Sequence, residues 1–224
     1  RLLAAQMGGR LGQNVVVENR PGGGAVLASE IAARAAPDGY TWMHVDNGIL
    51  VYNPALYARL PYDPDRDFAG VGFIGRFPLY IVCRADAPWA DFPALLAASR
   101  THAPTYGSPA VASPHHLAME LVKRRSGLAA EHVPYRGGSA MVPDLLSGAV
   151  DAGMVELPSA LPLHLEGKAP IIAIATAERS PVLPQVQTFI EAGLPGFTAG
   201  SYGGLLAPSA TPPDIVAALH AALV

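Results

Sequence analysis

Clustered basic residues, paired cysteines and long apolar runs are all missing from this chain, and each absence removes a class of function. Fifteen basic and 18 acidic residues leave a net charge of −3. The one dense basic patch, Lys123-Arg124-Arg125, ends a helical pattern, where cations suit the helix dipole. Nothing else resembles the grouped Lys and Arg that neutralise phosphates, so no nucleic-acid partner is expected. The single cysteine, Cys83, cannot close an internal disulfide. It lies in the apolar run Leu79-Tyr80-Ile81-Val82-Cys83 and reads as a small buried hydrophobe rather than a reactive thiol. No apolar run approaches the roughly 20 residues that a membrane-crossing helix needs.

Catalytic signatures are also scarce. Ser108 follows Gly107 but precedes Pro109-Ala110, so the G-x-S-x-G elbow is absent. Gly22-Gly23-Gly24 opens a helical stretch, yet a dinucleotide fingerprint would need glycine where Leu27 stands. His115 and His116 are adjacent, and neighbours on a helix face apart, so no metal is expected there. The expectation is a protein that is not an enzyme, with no catalytic residues, cofactor or metal. A hydrolase pairing a serine with one of the seven histidines stays open as the alternative.

What is present is an alternation of strands and helices. Asn14–Glu18 reads as a strand, Val26–Ala36 as a helix and Thr41–Val45 as a second strand, an order that implies parallel pairing through a crossover. Tyr57–Phe68 reads as a surface loop, and Val71–Ile74 and Leu79–Arg84 as two strands. The pattern restarts at Thr105 with three strand–loop–helix units, then strand Ile171–Thr176, a short helix Val186–Ala192, a last strand Ser201–Ala207 and a helix from Pro213 capped by Thr211.

In open α/β sheets ligands bind at the carboxyl ends of strands. Four such loops stand out: Asp46-Asn47-Gly48, Gly107–Ser113, Arg136–Ser139 and Glu156–Ser159. They are small, rich in Gly and Ser, and mostly followed by helices, whose first N–H groups are unpaired and carry the positive end of the dipole. That makes an anion site without a lysine. Candidate ligand contacts within them are Asn47, Gly48, Ser108, Ala112, Ser113, Arg136, Gly137, Gly138 and Glu156.

Specific strings then match a known family. Val15–Gly24, read VVVENRPGGG, closely resembles a signature of the Bug-type solute receptors of tripartite tricarboxylate transporters. Ala36-Pro37-Asp38-Gly39-Tyr40-Thr41, Ser113-Pro114-His115-His116-Leu117-Ala118, His132-Val133-Pro134-Tyr135-Arg136-Gly137 and Leu157-Pro158-Ser159-Ala160 continue the resemblance in family order. It implies a two-lobed type II periplasmic binding protein with mixed sheets, helices on both faces and crossover strands at Leu79–Arg84 and Ser201–Ala207. Lobe 1 would be residues 1–79 and 201–224, and lobe 2 residues 80–200. The resemblance further implies a monomer in the periplasm that closes on a dicarboxylate, acidic amino acid or aromatic acid and presents it to membrane components of the transporter. A sensor on the same fold is the runner-up.

Two departures from the family pattern matter. Both ends of the chain fall inside helical patterns, and the family's preceding strand and "PGG" loop and its following helix are not represented, which suggests a cut chain. The family's common Asp-Asn before "LPS" is here Val155-Glu156. A carboxylate at that place would repel an anionic ligand unless the ligand carries a cation there; alternatively, Glu156 points to solvent.

Overall fold

A computed structural model describes residues 1–224. Its contacts group into two compact units, residues 1–75 with 202–224 and residues 76–201. The chain passes between them twice, inside strand β2 (Phe68–Cys83) and inside strand β7 (Gly200–Pro208). No helix is long and apolar enough to cross a membrane.

The first unit holds helices α1 (Leu2–Leu11), α2 (Val26–Ala33), α3 (Asn53–Leu56) and α8 (Pro213–Leu223), with strand β1 (Met43–Val45). β1 pairs antiparallel with β7, Met43 opposite Leu206. Successive β7 residues serve opposite faces: Leu205 and Ala207 pack with Met7, Leu219 and Ala222, while Leu206 packs with Ala32, Met43 and Tyr62. That period-2 division places helices on both sides of the strand layer.

Several expectations for this unit fail. Residues 14–18 form no strand, and Val16 is 80% exposed. β-branched residues supply a preference, but a strand exists only where a neighbour takes its hydrogen bonds, and nothing here does. The parallel β-α-β pairing is therefore replaced by the antiparallel β1–β7 ladder. The separate strands expected at 71–74 and 79–84 are one continuous β2. Thr211 does not cap α8: Pro212 holds that position, its carbonyl accepting from Ile215 and Val216. The Thr211 Oγ1 is buried without a hydrogen-bond partner.

The second unit contains α4 (Phe92–Ala98), β3 (Thr105–Ser108), α5 (Pro114–Ser126), β4 (Glu131–Pro134), α6 (Gly138–Ser147), β5 (Ala152–Glu156), α7 (Leu157–Leu165) and β6 (Ile171–Ile174). β3 pairs parallel with both β4 and β5, and β2 runs antiparallel to β5 and to β6. Both faces of β2 are buried. Leu79, Ile81 and Cys83 join Phe92, Met119 and Phe189 on one side, while Tyr80 and Val82 join Met141, Leu145 and Ala160 on the other. Cys83 is fully buried and its thiol is pushed up to about 12 by burial, as a packing residue would be.

The helix expected at 186–192 is not formed. The Ile174 N–H donates to the Gln187 carbonyl and the Phe189 N–H to the Ile174 carbonyl, so β6 takes the backbone groups that a helix would need. Glu191 and Thr188 cap each other across the single turn that remains.

Candidate functional site

Parallel pairing sends the ends of β3, β4 and β5 to one edge of the second unit, and each strand leads into a helix: α5, α6 and α7 respectively. Close approach of α6 is permitted by two glycines. A Cβ on Gly107 would lie 2.5 Å from Met141 Sδ, and one on Gly153 would lie 2.7 Å from Met141 Cε.

Ser113 caps α5 as the sequence indicates. Its Oγ accepts from the His116 N–H at 3.2 Å and donates to the Ala110 carbonyl at 2.8 Å, with Pro114 at the first helical position. The loop before it is strained: Ala112 has φ 64°, a left-handed conformation rare for a residue with a Cβ. The Ala112 N–H donates to His116 Nδ1 at 3.1 Å, which helps hold that turn. Gly137, with φ 103°, starts α6 where a side chain would be disfavoured. Its N–H donates to the Pro109 carbonyl at 2.8 Å and ties the β4–α6 turn to the β3–α5 loop. Gly138 is the first residue of α6, and Arg136 beside it is exposed.

Ser108 lies beneath these loops, fully buried. Its hydroxyl donates to the Ala110 carbonyl at 3.0 Å, and its Oγ sits 2.7 Å from His132 Nε2. A serine has one proton to give, and both the Ala110 carbonyl and His132 Nε2 lie within its reach. His132 stacks on His116, ring centroids 4.0 Å apart, and on Tyr106 at 4.9 Å. Burial first, and then the neighbouring His116, pulls His132 down to about 4. Burial likewise lowers His116. Behind them, Tyr106 Oη and Lys123 Nζ each donate to Glu120 at 2.6 Å. Burial alone would raise Glu120, but these bonds outweigh it and keep it low.

Glu156 is the residue just before α7, and its carboxylate meets a partner within the protein. Its Oε1 lies 2.8 Å from Nε2 of His115, with side chains 30% and 6% exposed. His115 and His116 do turn apart, one toward Glu156 and the other toward Ala112 and His132. The sequence weighed His115 only as a metal ligand and missed its carboxylate partner 41 positions away. Its place one residue after Pro114 at a helix start was the only available hint.

In the first unit, Asn47 and Gly48 follow β1 and enter a π-helical turn, Gly48–Tyr52. Asn47 Nδ2 donates to Tyr52 Oη at 2.9 Å, and its Oδ1 accepts from the Tyr202 N–H at 3.3 Å. Asn47 and Tyr52 edge a cavity of about 650 Å³ lined also by Val45, Asp46, Leu50, Val51, Phe73 and Tyr202. Tyr52, Phe73 and Tyr202 were not singled out from sequence, because the strands that bring them together are far apart in the chain.

The whole chain, residues 1–224, matches the sequence model of the tripartite tricarboxylate transporter family receptor. A Pseudomonas sp. (strain P51) protein from the tcbD-tcbE intergenic region is 35% identical over 224 residues, covering 99% of this chain and 66% of the relative. The chain spans about two thirds of the length of curated relatives that it matches. Among solved structures, an R. palustris protein with adipate superposes with a TM-score of 0.95 at 34% identity, covering 100% of this chain and 75% of the other. MatC from Rhodopseudomonas palustris, with bound malate, gives 0.93 at 35% identity, covering 100% and 76%.

Proposed function

Because the chain belongs to the tripartite tricarboxylate transporter family of receptors, we propose that it captures a small carboxylate and hands it to membrane components of such a transporter. The observation that carries this reading is the gathering of three helix starts on one edge of the second unit. Unpaired N–H groups and aligned dipoles at α5, α6 and α7 favour an anion there, and Arg136 adds a guanidinium. The related structures holding adipate and malate support the same ligand class.

In this reading Gly138 and Arg136 supply donors, while Ser113 and Gly137, whose own donors are held by carbonyls, fix the starts of α5 and α6. Ala112 and Ser108 shape the loop. The ligand-bound state is the one that membrane partners read, because a ligand shifts the balance only toward the state it binds better. The place of action is the periplasm, and the receptor works as a monomer.

A thermal-shift screen tests the proposal with adipate, malate, succinate and aspartate against nucleoside mono- and triphosphates. Stabilisation by one or more of the acids is expected. A shift with nucleotides alone sinks the reading.

A further inference from the structure

His116 is the third residue of α5, counted from Pro114 after the Ser113 cap. It is tied to the preceding loop at two points. Its own N–H donates to Ser113 Oγ at 3.2 Å, and its Nδ1 accepts from the Ala112 N–H at 3.1 Å. This is the reciprocal pattern of a capping box, displaced by one residue. In that motif a glutamate or glutamine three positions past the cap reaches back to a backbone N–H. Here an imidazole supplies the acceptor, and one proton turns that acceptor into a donor.

A neutral imidazole that accepts at Nδ1 carries its proton on Nε2. Protonated at both nitrogens, the ring would face the Ala112 N–H donor to donor. Ala112 would lose the bond that helps hold it at φ 64°, a conformation disfavoured for a residue with a Cβ. The surroundings also resist the charge. His132 of β4 stacks on the ring at 4.0 Å, and Tyr106 of β3 stacks on His132 in turn. The start of α5 carries the positive end of the helix dipole. On α5 itself Lys123 opposes a cation and Glu120 favours one, but Glu120 is already held by Tyr106 and Lys123. His115 turns its ring away toward Glu156. Burial is the largest of these effects and keeps His116 below its ordinary 6.5.

We propose that neutral His116 is a positioning residue: its ring latches the Gly107–Ser113 loop to the start of α5, and protonation releases the loop. The latch is closed at neutral pH and opens as the pH falls through a value below 6.5. Released, the loop no longer holds the α5 start in the form that a carboxylate meets. That last consequence rests on the carboxylate-receptor reading above; the latch itself does not.

Nitrogen NMR of the ring and amide hydrogen exchange test the latch on the whole chain without ligand. At pH 7 His116 is expected as the Nε2–H tautomer, and acidification should protonate it while Ala112 protection falls in step. His116→Gln keeps an acceptor that does not titrate, so its Ala112 protection should persist over the same pH range. His116→Phe keeps a flat ring without the acceptor, and its Ala112 protection should drop about tenfold already at pH 7. A proton on Nδ1 at pH 7 overturns the inference. So does protection that falls equally in wild type and His116→Gln, or full protection in His116→Phe. If His116→Phe does not fold, wild type and His116→Gln decide. Calorimetric titration with adipate and malate at pH 7 reads the consequence for binding. Whichever acid binds should bind about threefold or more weakly to His116→Phe and close to normally to His116→Gln. Unchanged affinity in folded His116→Phe overturns the role in binding. If neither acid binds wild type, the receptor reading falls, while the exchange results still decide the latch.

Discussion

The two units build their candidate contacts from different materials. In the second unit the surface is polar and made by helix starts, steadied by buried histidines and by Ser113, Glu156 and Gly137. In the first, Asn47 stands at the rim of a cavity whose walls are Val45, Leu50, Val51, Phe73 and Tyr202. The difference follows from strand direction. Parallel strands deliver three helix N-termini to the same edge, whereas the antiparallel β1–β7 ladder brings side chains and not helix ends together. A site of one sign can therefore come from topology alone, with few charged side chains. An apolar site has to be supplied residue by residue.

The strongest way to break this contrast is to loosen the helix starts from beneath. Met141 is fully buried and lies against Gly107 and Gly153 under α6. Met141→Ala should cost about 2–5 kcal/mol in urea unfolding, through lost burial and the cavity left behind. It should also raise hydrogen exchange at the α6 start while sparing β1 and β7. Equal loosening of both units would show that they do not behave independently.

A matched pair of variants sharpens the contrast at lower cost. Ser113→Ala removes the α5 cap and should lower stability by about 1 kcal/mol. Tyr52→Phe removes the Asn47 partner and should cost a similar amount, about 1 kcal/mol. If the polar edge holds the carboxylate, titration with the best acid will show weaker binding in the first variant and a smaller change in the second. The opposite order would move the anion to the first unit.

A further contrast is a pH dependence confined to the second unit. His132 sits at about 4 in the fold against an ordinary 6.5, so the unfolded chain takes up a proton between those values that the folded chain refuses. Stability from this group is complete above 6.5 and declines as the pH drops toward 4. His132→Gln should flatten that stretch of a chemical-denaturation profile. An unchanged slope would assign it to other groups, Glu120 and Asp151 being poor candidates because both are held below the ordinary carboxylate range.

Much of the candidate site was visible in the sequence because its signals are local. Ser113-Pro114 announces a helix start within two residues, and Gly137 marks a turn with positive φ. Side-chain partners were harder to see. Neither spacing nor residue type links His115 to Glu156, or Ser108 to His132, since those contacts exist only once β3, β4 and β5 lie side by side.

By itself the sequence determined the alternation of elements, the buried character of Cys83, the Ser113 cap and the turn at Gly137, and a family signature running from Val15 to Ala160. These depend on residue periodicity and on backbone preferences within a few positions. The tertiary structure alone decided that residues 14–18 make no strand, that 186–192 give their backbone groups to β6, and that β1 pairs antiparallel. It also decided that Glu156 meets a histidine. In each case hydrogen-bonding capacity is satisfied by whichever group the packed core brings within reach, and that choice is not written in local sequence.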